Sequence, residues 1–209
     1  LYVGITGQSA STAIPRILKG ITNPSGKLAD TMTYSNEYDP TYVNISKGSN
    51  QYVEDIYFGY NWYETADVEA FFDSVSNEYG AGYDGVVQYP FGYGLSYTQF
   101  NWVVESVSLA AGSEINRDSE ITITLNVENI GSVAGKDVIE VYLTPEYKDG
   151  QIEKPHVNLV GFAKTATINP GEKQLVTITL NVDDFACYDA YDLNNNGNKG
   201  YELDAGKYE

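Results

Sequence analysis

The sequence predicts an α/β layer fragment followed by an all-β antiparallel sandwich. Two observations carry this prediction. Residues 1–30 combine a short apolar run with an amphipathic helix pattern, whereas from about residue 101 apolar and polar residues alternate in short runs. Turn sequences separate these runs, and about seven short strands with regular turns are typical of a β-sandwich. We therefore expect one region at 1–100 and a second at 101–209.

The first elements in chain order are a strand and a helix. Residues 1–5 form an apolar run typical of a short buried strand. Ser11 is placed to cap the helix, and Pro15 fits a first turn, where no amide donor is needed. Gly20 ends it, because glycine accepts a positive φ. The apolar face of this predicted helix consists of Ala13, Ile14, Ile17 and Leu18.

Residues 31–89 are polar, rich in tyrosine and only weakly periodic. The stretch 52–64 mixes aromatic and acidic residues, which predicts either a strand or an extended loop. Glycines and tyrosines over 78–85 predict a flexible loop. Long irregular segments inside compact domains are usually functional or held by a neighbour.

The sandwich is predicted from three alternating runs, at 121–127, 139–143 and 176–182. A period of two indicates strands with one buried face. Turn sequences separate the runs: NIG at 129–131, DG at 149–150, NPG at 169–171 and NNG at 195–197. The region boundary is expected between Tyr97 and Trp102, and the chain stops at Glu209 within what reads as a strand.

The formal charge of −17 excludes some functions. Nucleic acid and anionic membrane surfaces are disfavoured, because the chain offers no excess of cations to phosphates. A neutral ligand such as a sugar is compatible with this charge. Cys187 is the only cysteine, so no intrachain disulfide forms and both secreted and cytoplasmic locations stay open. No stretch approaches the roughly 20 apolar residues that span a bilayer, and no cofactor motif is present.

The sequence contains five notable segments in this order: GITNPSGKL at 20–28, YVEDIYFGYNWYE at 52–64, PFGYGLSYTQF at 90–100, GKDVIEVYL at 135–143 and NPGE at 169–172. Together they resemble the family 3 glycoside hydrolases of the β-glucosidase type. GITNPSGKL at 20–28 resembles the end of that family's α/β-sandwich domain, and YVEDIYFGYNWYE at 52–64 its tyrosine-rich stretch Y-x-E-G-I-Y-V-G-Y-R-Y-Y-E. PFGYGLSYTQF at 90–100 is nearly identical to the signature P-F-G-Y-G-L-S-Y-T-x-F. GKDVIEVYL at 135–143 and NPGE at 169–172 resemble the immunoglobulin-like (fibronectin type III-like) third domain.

The chain also departs from the common pattern. Asn61 stands where an arginine is usual, and Ala29 where a proline is usual. The pattern LADT at 28–31 and an insertion after Glu64 are closer to members with reversed domain order, in which the catalytic barrel follows the sandwich.

The resemblance implies retaining hydrolysis by two carboxylates that flank the glycosidic bond at roughly 5 Å. It places the nucleophilic aspartate in a (β/α)8 barrel, for which these 209 residues leave no room. It places the acid/base glutamate in a Gly-Glu-Gly-like motif, which this sequence does not contain. We therefore expect no catalytic residue in the chain.

Two groups of residues remain as candidates for chemistry. Glu54, Asp55, Glu64 and Asp67 lie among aromatic residues, where catalytic acids occur, but structural surface acids are the expected interpretation. Tyr60, Trp62 and Tyr63 are candidate sugar contacts by stacking. The competing interpretation is that they anchor their segment against a neighbouring domain.

A third candidate is a calcium loop. Asp192, Asn194 and Asn196 have the oxygen spacing of the first half of a calcium-binding loop. Leu203 occupies the position of the expected acidic ligand, and no helices flank the loop. A hairpin turn rich in asparagine and glycine is the alternative, so no metal is expected.

Three hypotheses for the function follow. The first is a fragment of an exo-acting β-glucosidase that supplies scaffold and domain contacts. The second is a sugar-binding sandwich, and the third is a structural module. The expected partners are a β-linked glucoside bound by the intact enzyme, the remaining catalytic domains and a second copy in a homodimer.

Overall fold

The computed structural model describes residues 10–45 and 50–209. The strand expected at 1–5 lies outside the described residues. The helices are α1 (Ala10–Leu18), α2 (Pro40–Asn44), α3 (Tyr60–Val68) and α4 (Tyr83–Val86), with short 3-10 helices at Asn36–Tyr38 and Val182–Phe185. The strands are β1 (Met32–Thr33), β2 (Val87–Tyr89), β3 (Phe100–Val107), β4 (Glu120–Asn129), β5 (Val138–Leu143), β6 (Asn158–Lys164), β7 (Lys173–Asn181), β8 (Cys187–Asp189) and β9 (Gly200–Glu202).

All strand pairs of the described residues are antiparallel. β3, β4 and β7 form one sheet in that order, and β5 pairs with β6. Two further pairs, β1 with β2 and β8 with β9, are short ribbons. The predicted antiparallel architecture is therefore confirmed as a set of small sheets with few helices.

The three alternating runs form β4, β5 and β7, as predicted. On β7, Val176, Ile178 and Leu180 are buried, whereas the residues between them are exposed. β6 crosses this face closely, because a Cβ on Gly161 would collide with the side chain of Leu180. The main core cluster lies between the two sheets and consists of Leu125, Val127, Ile139, Leu143, Ile168, Val176, Ile178, Leu180, Val182 and Phe185.

The end of α1 agrees with the prediction, whereas its beginning does not. Gly20 has φ +69°; its N–H donates to the Ile17 carbonyl at 2.8 Å, and the next N–H donates to the Arg16 carbonyl at 2.9 Å. This pair of bonds is a Schellman motif. Ser11, however, lies inside the helix rather than at its cap, and Pro15 lies beyond the first turn. Proline there removes one amide donor from the helix.

The stretch 52–64 was predicted as a strand or an extended loop. Residues 52–59 are indeed loop and turn, whereas the prediction is wrong for 60–64, which are helical. A turn over 53–56 leads into α3, which starts after Gly59 at φ +54°. Tyr63 and Ala66, three residues apart, are both buried, which is the helical period. Tyr63 thus lies on the buried face of the helix, a position that aliphatic residues occupy in most helices.

The flexible loop predicted for 78–85 is also corrected. It contains the start of α4, and Asn77 closes the preceding turn by accepting from the N–H groups of Tyr79 and Gly80 at 2.9 and 3.2 Å. Its side-chain amide donates to the Gly85 carbonyl at 2.9 Å. A Cβ on Gly85 would lie 2.8 Å from the Gly80 carbonyl oxygen, so this glycine is needed for close packing.

A second, smaller cluster lies outside the sandwich. It consists of Tyr63, Ala66, Phe72, Val86 and Val87, with Tyr38, Trp62, Val75 and Tyr83 packed against it. Within the described ranges, every helix is too short or too polar to span a bilayer.

Candidate functional site

The candidate site is the seam where α3 and the segment 90–100 meet the sandwich. Tyr60, at the start of α3, contacts both sides. Its hydroxyl donates to Asn158 Oδ1 at 3.2 Å and accepts from the Leu159 N–H at 2.9 Å. Its ring packs against Phe91 and Tyr142, with centroids 4.5 and 6.0 Å away. Burial in this contact raises the pKa of the Tyr60 hydroxyl.

The glycines of the segment 90–100 permit close approach at this seam. Gly92 has φ +76°, and a Cβ there would collide with the Glu140 carboxylate. That carboxylate accepts a hydrogen bond from the Tyr142 hydroxyl at 2.9 Å. Burial is the larger cause that raises the pKa of Tyr142, and this hydrogen bond is the second cause. A Cβ on Gly94 would lie 2.5 Å from the Gly26 carbonyl oxygen. Side chains at these two positions would therefore push the segment off its neighbours.

Two asparagines bond the seam across long sequence separations. Asn23 donates to the Ala134 carbonyl at 3.2 Å and accepts from the Ser96 hydroxyl and the Tyr97 N–H at 3.0 and 2.8 Å. These contacts join residues more than 70 positions apart in the chain. The chain regions before and after residue 100 are thus joined by directional hydrogen bonds.

Asn129 is 0% exposed, and both the nitrogen and the oxygen of its side-chain amide have hydrogen-bond partners. Its amide donates to the carbonyls of Val133 and Ile168 at 2.9 and 2.8 Å. Its oxygen accepts from the Thr98 hydroxyl at 2.6 Å and the Gly131 N–H at 3.1 Å. The sequence predicted Asn129 only as part of a turn, and Asn23 only as part of the segment 20–28, whose Asn-Pro pair is also typical of a turn. An asparagine beside Gly or Pro has no sequence signal that separates a turn from a tertiary bond.

A third set of contacts joins α3 and the segment just before it to residues 153–156. The Tyr57 hydroxyl donates to Glu153 Oε2 at 2.6 Å, and burial together with this bond raises the Tyr57 pKa well above its usual range. The His156 N–H donates to the Thr65 hydroxyl at 2.8 Å. Lys154 is 5% exposed, and its ammonium donates to the Glu146 carbonyl and to Asp204 Oδ2 at 3.0 and 3.1 Å. The buried cation is therefore paired, as burial requires.

The three candidate sugar-binding residues lie in different environments. Tyr60 spans the seam, and Tyr63 is buried in the smaller cluster. Burial raises the pKa of Tyr63 to about 12. Trp62 is half-buried beside an open groove, and its indole N–H donates to the Tyr38 carbonyl at 3.0 Å. Their predicted contact with sugar stays a prediction, for which only Trp62 borders open space.

The four candidate carboxylates are distributed along α3 and the turn before it. Glu64 accepts from the Tyr83 hydroxyl at 2.5 Å, and Glu54 accepts from the Asn44 amide at 2.9 Å. Asp55 and Asp67 are exposed. Two of the four therefore hold neighbouring side chains, and the expectation that the catalytic carboxylates lie outside this chain stays a prediction.

The candidate calcium loop joins β8 to β9. Asp192 accepts from the Gly197 N–H at 3.1 and 3.2 Å, and the Asn194 amide donates to Glu202 Oε2 at 3.0 Å. Asn196 donates to the same oxygen. Sequence spacing assigned the acidic position to Leu203, whereas the hairpin brings Glu202 to the loop. Across 10–45 and 50–209, no group of three or more His, Cys, Asp or Glu side chains is arranged for a metal, and the calcium assignment stays a prediction.

Known proteins are similar to this chain in sequence and fold. The fibronectin type III-like domain family matches residues 137–209. Beta-glucosidase A of Butyrivibrio fibrisolvens is 36% identical over 97% of this chain and 23% of its own length. A β-glucosidase structure from Paenibacillus barengoltzii has a TM-score of 0.77 at 37% identity, covering 94% of this chain and 19% of that one. Beta-glucosidase 3B from Thermotoga neapolitana, in complex with glycerol, has a TM-score of 0.73 at 31% identity, covering 97% of this chain and 24% of that one.

The chain thus spans less than a quarter of each of these relatives, while nearly all of it is matched. The similarity in sequence and fold extends to both sides of residue 100. The chain belongs to the family 3 glycoside hydrolases of the β-glucosidase type, as a part of such a protein that includes the fibronectin type III-like domain.

Proposed function

We propose that this chain is the scaffold part of a retaining, exo-acting β-glucosidase that hydrolyses terminal β-D-glucosyl residues. The observation that carries the proposal is the seam. Buried and satisfied polar groups such as Asn129, together with close contacts at Gly92 and Gly94, hold two chain regions against each other. The relatives matched over nearly the whole chain carry the name β-glucosidase, which supports the activity.

The chemistry of the proposed reaction requires residues beyond this chain. Retaining hydrolysis needs a nucleophilic carboxylate and an acid/base carboxyl on opposite sides of the glycosidic bond, about 5 Å apart. Two of the candidate acids described above, Glu54 and Glu64, are bonded to neighbouring side chains. We therefore assign both catalytic carboxylates, and most of the contacts to glucoside, to the remaining domains of the intact enzyme.

The division into two regions is part of this proposal. Residues 1–100 are the end of an α/β-sandwich domain, and residues 101–209 are the fibronectin type III-like sandwich. Leu18 on α1 and Ile21 just after it are exposed, which supports a further layer of the parent domain covering them. The two hydrophobic clusters lie on either side of residue 100, which supports the boundary.

The test uses the full-length protein and aryl β-glucosides. We expect release of the aryl group, and proton NMR at early times should show the β-anomer of glucose as the first product. An aryl α-glucoside is the control and should not be cleaved. Absence of turnover on every aryl β-glycoside tried would overturn the proposal.

The second candidate is a sugar-binding or structural module without catalysis. The aromatic groove beside Trp62 favours it as an additional role. Binding of a β-linked oligosaccharide by the full-length protein, without hydrolysis, would favour this candidate over the first.

A further inference from the structure

An open groove runs along the seam, between α3 and the segment 145–156. It encloses about 370 Å³, within the range of small-ligand sites. Aromatic rings make up much of its wall, and polar side chains stand among them. Its lining consists of Tyr57, Trp62, Thr65, Ala66, Val68, Glu69, Phe71, Pro145, Tyr147, Lys154, Pro155 and His156.

Two of the rings are open to solvent, and one of them, Phe71, packs against a ring behind it. Phe71 is 67% exposed and Tyr147 is 41% exposed. Phe71 meets the Trp62 ring at 5.3 Å between centroids, edge to face at 70°. Trp62 is in turn fixed by its indole hydrogen bond to the Tyr38 carbonyl. Phe71 and Trp62 thus form a preorganised apolar surface, which lowers the entropic cost of binding.

The charges of the groove favour a neutral ligand. The ammonium group of Lys154, which lines the groove, already forms a salt bridge with Asp204, with 3.1 Å between Nζ and Oδ2. The chain carries a net charge of −17, which repels anions over the whole surface. His156 and Glu69 provide hydrogen-bonding groups at the wall. A neutral ligand with apolar faces and many hydroxyl groups matches this combination of rings, polar rim and charge.

We propose that this groove is an accessory, non-catalytic binding site for a segment of a neutral β-linked oligosaccharide. The sugar's C–H faces stack on Phe71 and Tyr147, and its hydroxyls bond to His156 and Glu69. The inference rests on the proposed function, because a glucoside-hydrolysing enzyme encounters such chains. The remaining domains of the protein are the competing occupant of the same surface, and the experiment distinguishes the two.

The experiment uses the full-length protein, first treated with a fluorosugar that traps the covalent intermediate of retaining glycosidases. The mass gain on trapping reports the proposed function and blocks the catalytic site. Calorimetry with cellopentaose on the trapped protein then reports binding outside the blocked glycone position, and the variants described next assign that binding to the groove. If no trapping occurs, the same titration on the untreated protein still tests the groove.

The variant is Phe71→Ala with Tyr147→Ala, which removes both exposed rings. We expect the affinity for cellopentaose to fall about tenfold, because stacking on an aromatic ring contributes about that much to affinity. The rate of hydrolysis of a small aryl β-glucoside should be unchanged. Phe71→Tyr with Tyr147→Phe keeps both rings and should retain binding. The matched control is Tyr191→Ala with Tyr201→Ala, two tyrosines exposed elsewhere, which should bind as the unchanged protein does.

Three outcomes would overturn the inference. The first is absence of cellopentaose binding by the unchanged protein. The second is equal binding by the alanine variant and its control. The third is protection of the Phe71 and Tyr147 rings from hydroxyl-radical labelling in the full-length protein, since this would show that the remaining domains of the protein cover the groove.

Discussion

The sandwich and the tyrosine-rich region (residues 50–97) are stabilised in different ways. The sandwich core is aliphatic except for Phe185 and lies between two sheets. The tyrosine-rich region has a smaller cluster, in which Phe72 meets Tyr38, Trp62 and Phe71 edge to face at 6.3, 6.5 and 6.0 Å. Hydrogen bonds to the sandwich, such as those of Tyr60 and Tyr57, add to this support. The comparison indicates that the sandwich stabilises itself, whereas the tyrosine-rich region depends on rings and on its neighbour.

The largest expected effect is a loss of stability in the tyrosine-rich region that leaves the sandwich unchanged. Phe72 is 2% exposed, and Phe72→Ala should cost about 3–5 kcal/mol, because three ring contacts are replaced by a cavity. Hydrogen exchange with mass spectrometry on the full-length protein should show lost protection in α3 and β2, with β4 and β7 unchanged. Phe162→Ala, at a site 68% exposed, is the control and should change little. Equal loss in β4 and β7 would show that the regions unfold as one unit.

The next effect concerns the bond between the regions. Asn129→Ala should cost about 2–3 kcal/mol, because the Thr98 hydroxyl and two carbonyls lose a buried partner. Protection should fall on both sides of residue 100, measured by the same exchange experiment and by urea unfolding. Asn181→Ala replaces an exposed asparagine at the end of β7 and is the matched control. Similar values for both variants would contradict a joining role for Asn129.

Close packing at the seam gives a smaller effect. Gly94→Ala places a Cβ 2.5 Å from the Gly26 carbonyl oxygen, and such overpacking costs about 1–3 kcal/mol. Gly26→Ala is the control, because a Cβ there meets no atom within 4 Å and the residue does not have positive φ. Thermal unfolding of both full-length variants measures the difference. If the two melt at the same temperature, the seam has room to relax at Gly94.

The smallest effect at neutral pH is a response to alkali. Burial raises the pKa of Tyr57, Tyr60, Tyr63, Tyr83 and Tyr142 above 10.0. A tyrosine whose pKa is higher in the folded state than in the unfolded state contributes its full stabilisation at pH values below the unfolded-state pKa. This stabilisation is lost as the pH rises through the folded-state pKa. We expect stability to be constant with respect to these groups up to about pH 9 and to fall above about pH 10.

Tyrosinate absorbance during an alkaline titration measures this response. The tyrosine-rich region should lose exchange protection before β4 and β7, since four of these five tyrosines belong to it. Simultaneous loss in both regions would weaken the contrast between them.

The sandwich could be predicted from sequence, whereas much of the seam could not. The runs at 121–127, 139–143 and 176–182 alternate with period two, and this pattern depends only on neighbouring residues. α3 was missed because tyrosine and tryptophan favour strands by propensity, so their helical spacing was outweighed. The helix and strand propensities of residues predict secondary structure poorly where tertiary packing determines it.

The site was less predictable for a related reason. Motif order identified the segment 90–100, but the partners of Gly94 and Asn129 lie far along the chain. A hydrogen bond between distant residues leaves no local pattern, and a glycine kept for close approach looks like any turn glycine. Glu202 entered the β8–β9 loop by hairpin register, which a fixed spacing rule did not anticipate.

The path of the chain from β2 into β3 has a mechanical consequence. β2 ends at Tyr89, β3 begins at Phe100, and the intervening residues are pinned through Leu28, Asn23 and Asn129. Because this connection between β2 and β3 is held at three places, it can extend only a little. A force applied to the tyrosine-rich region is therefore transmitted directly to β3, an edge strand of its sheet. Under such a force, we expect β3 to separate from β4 before the connection extends.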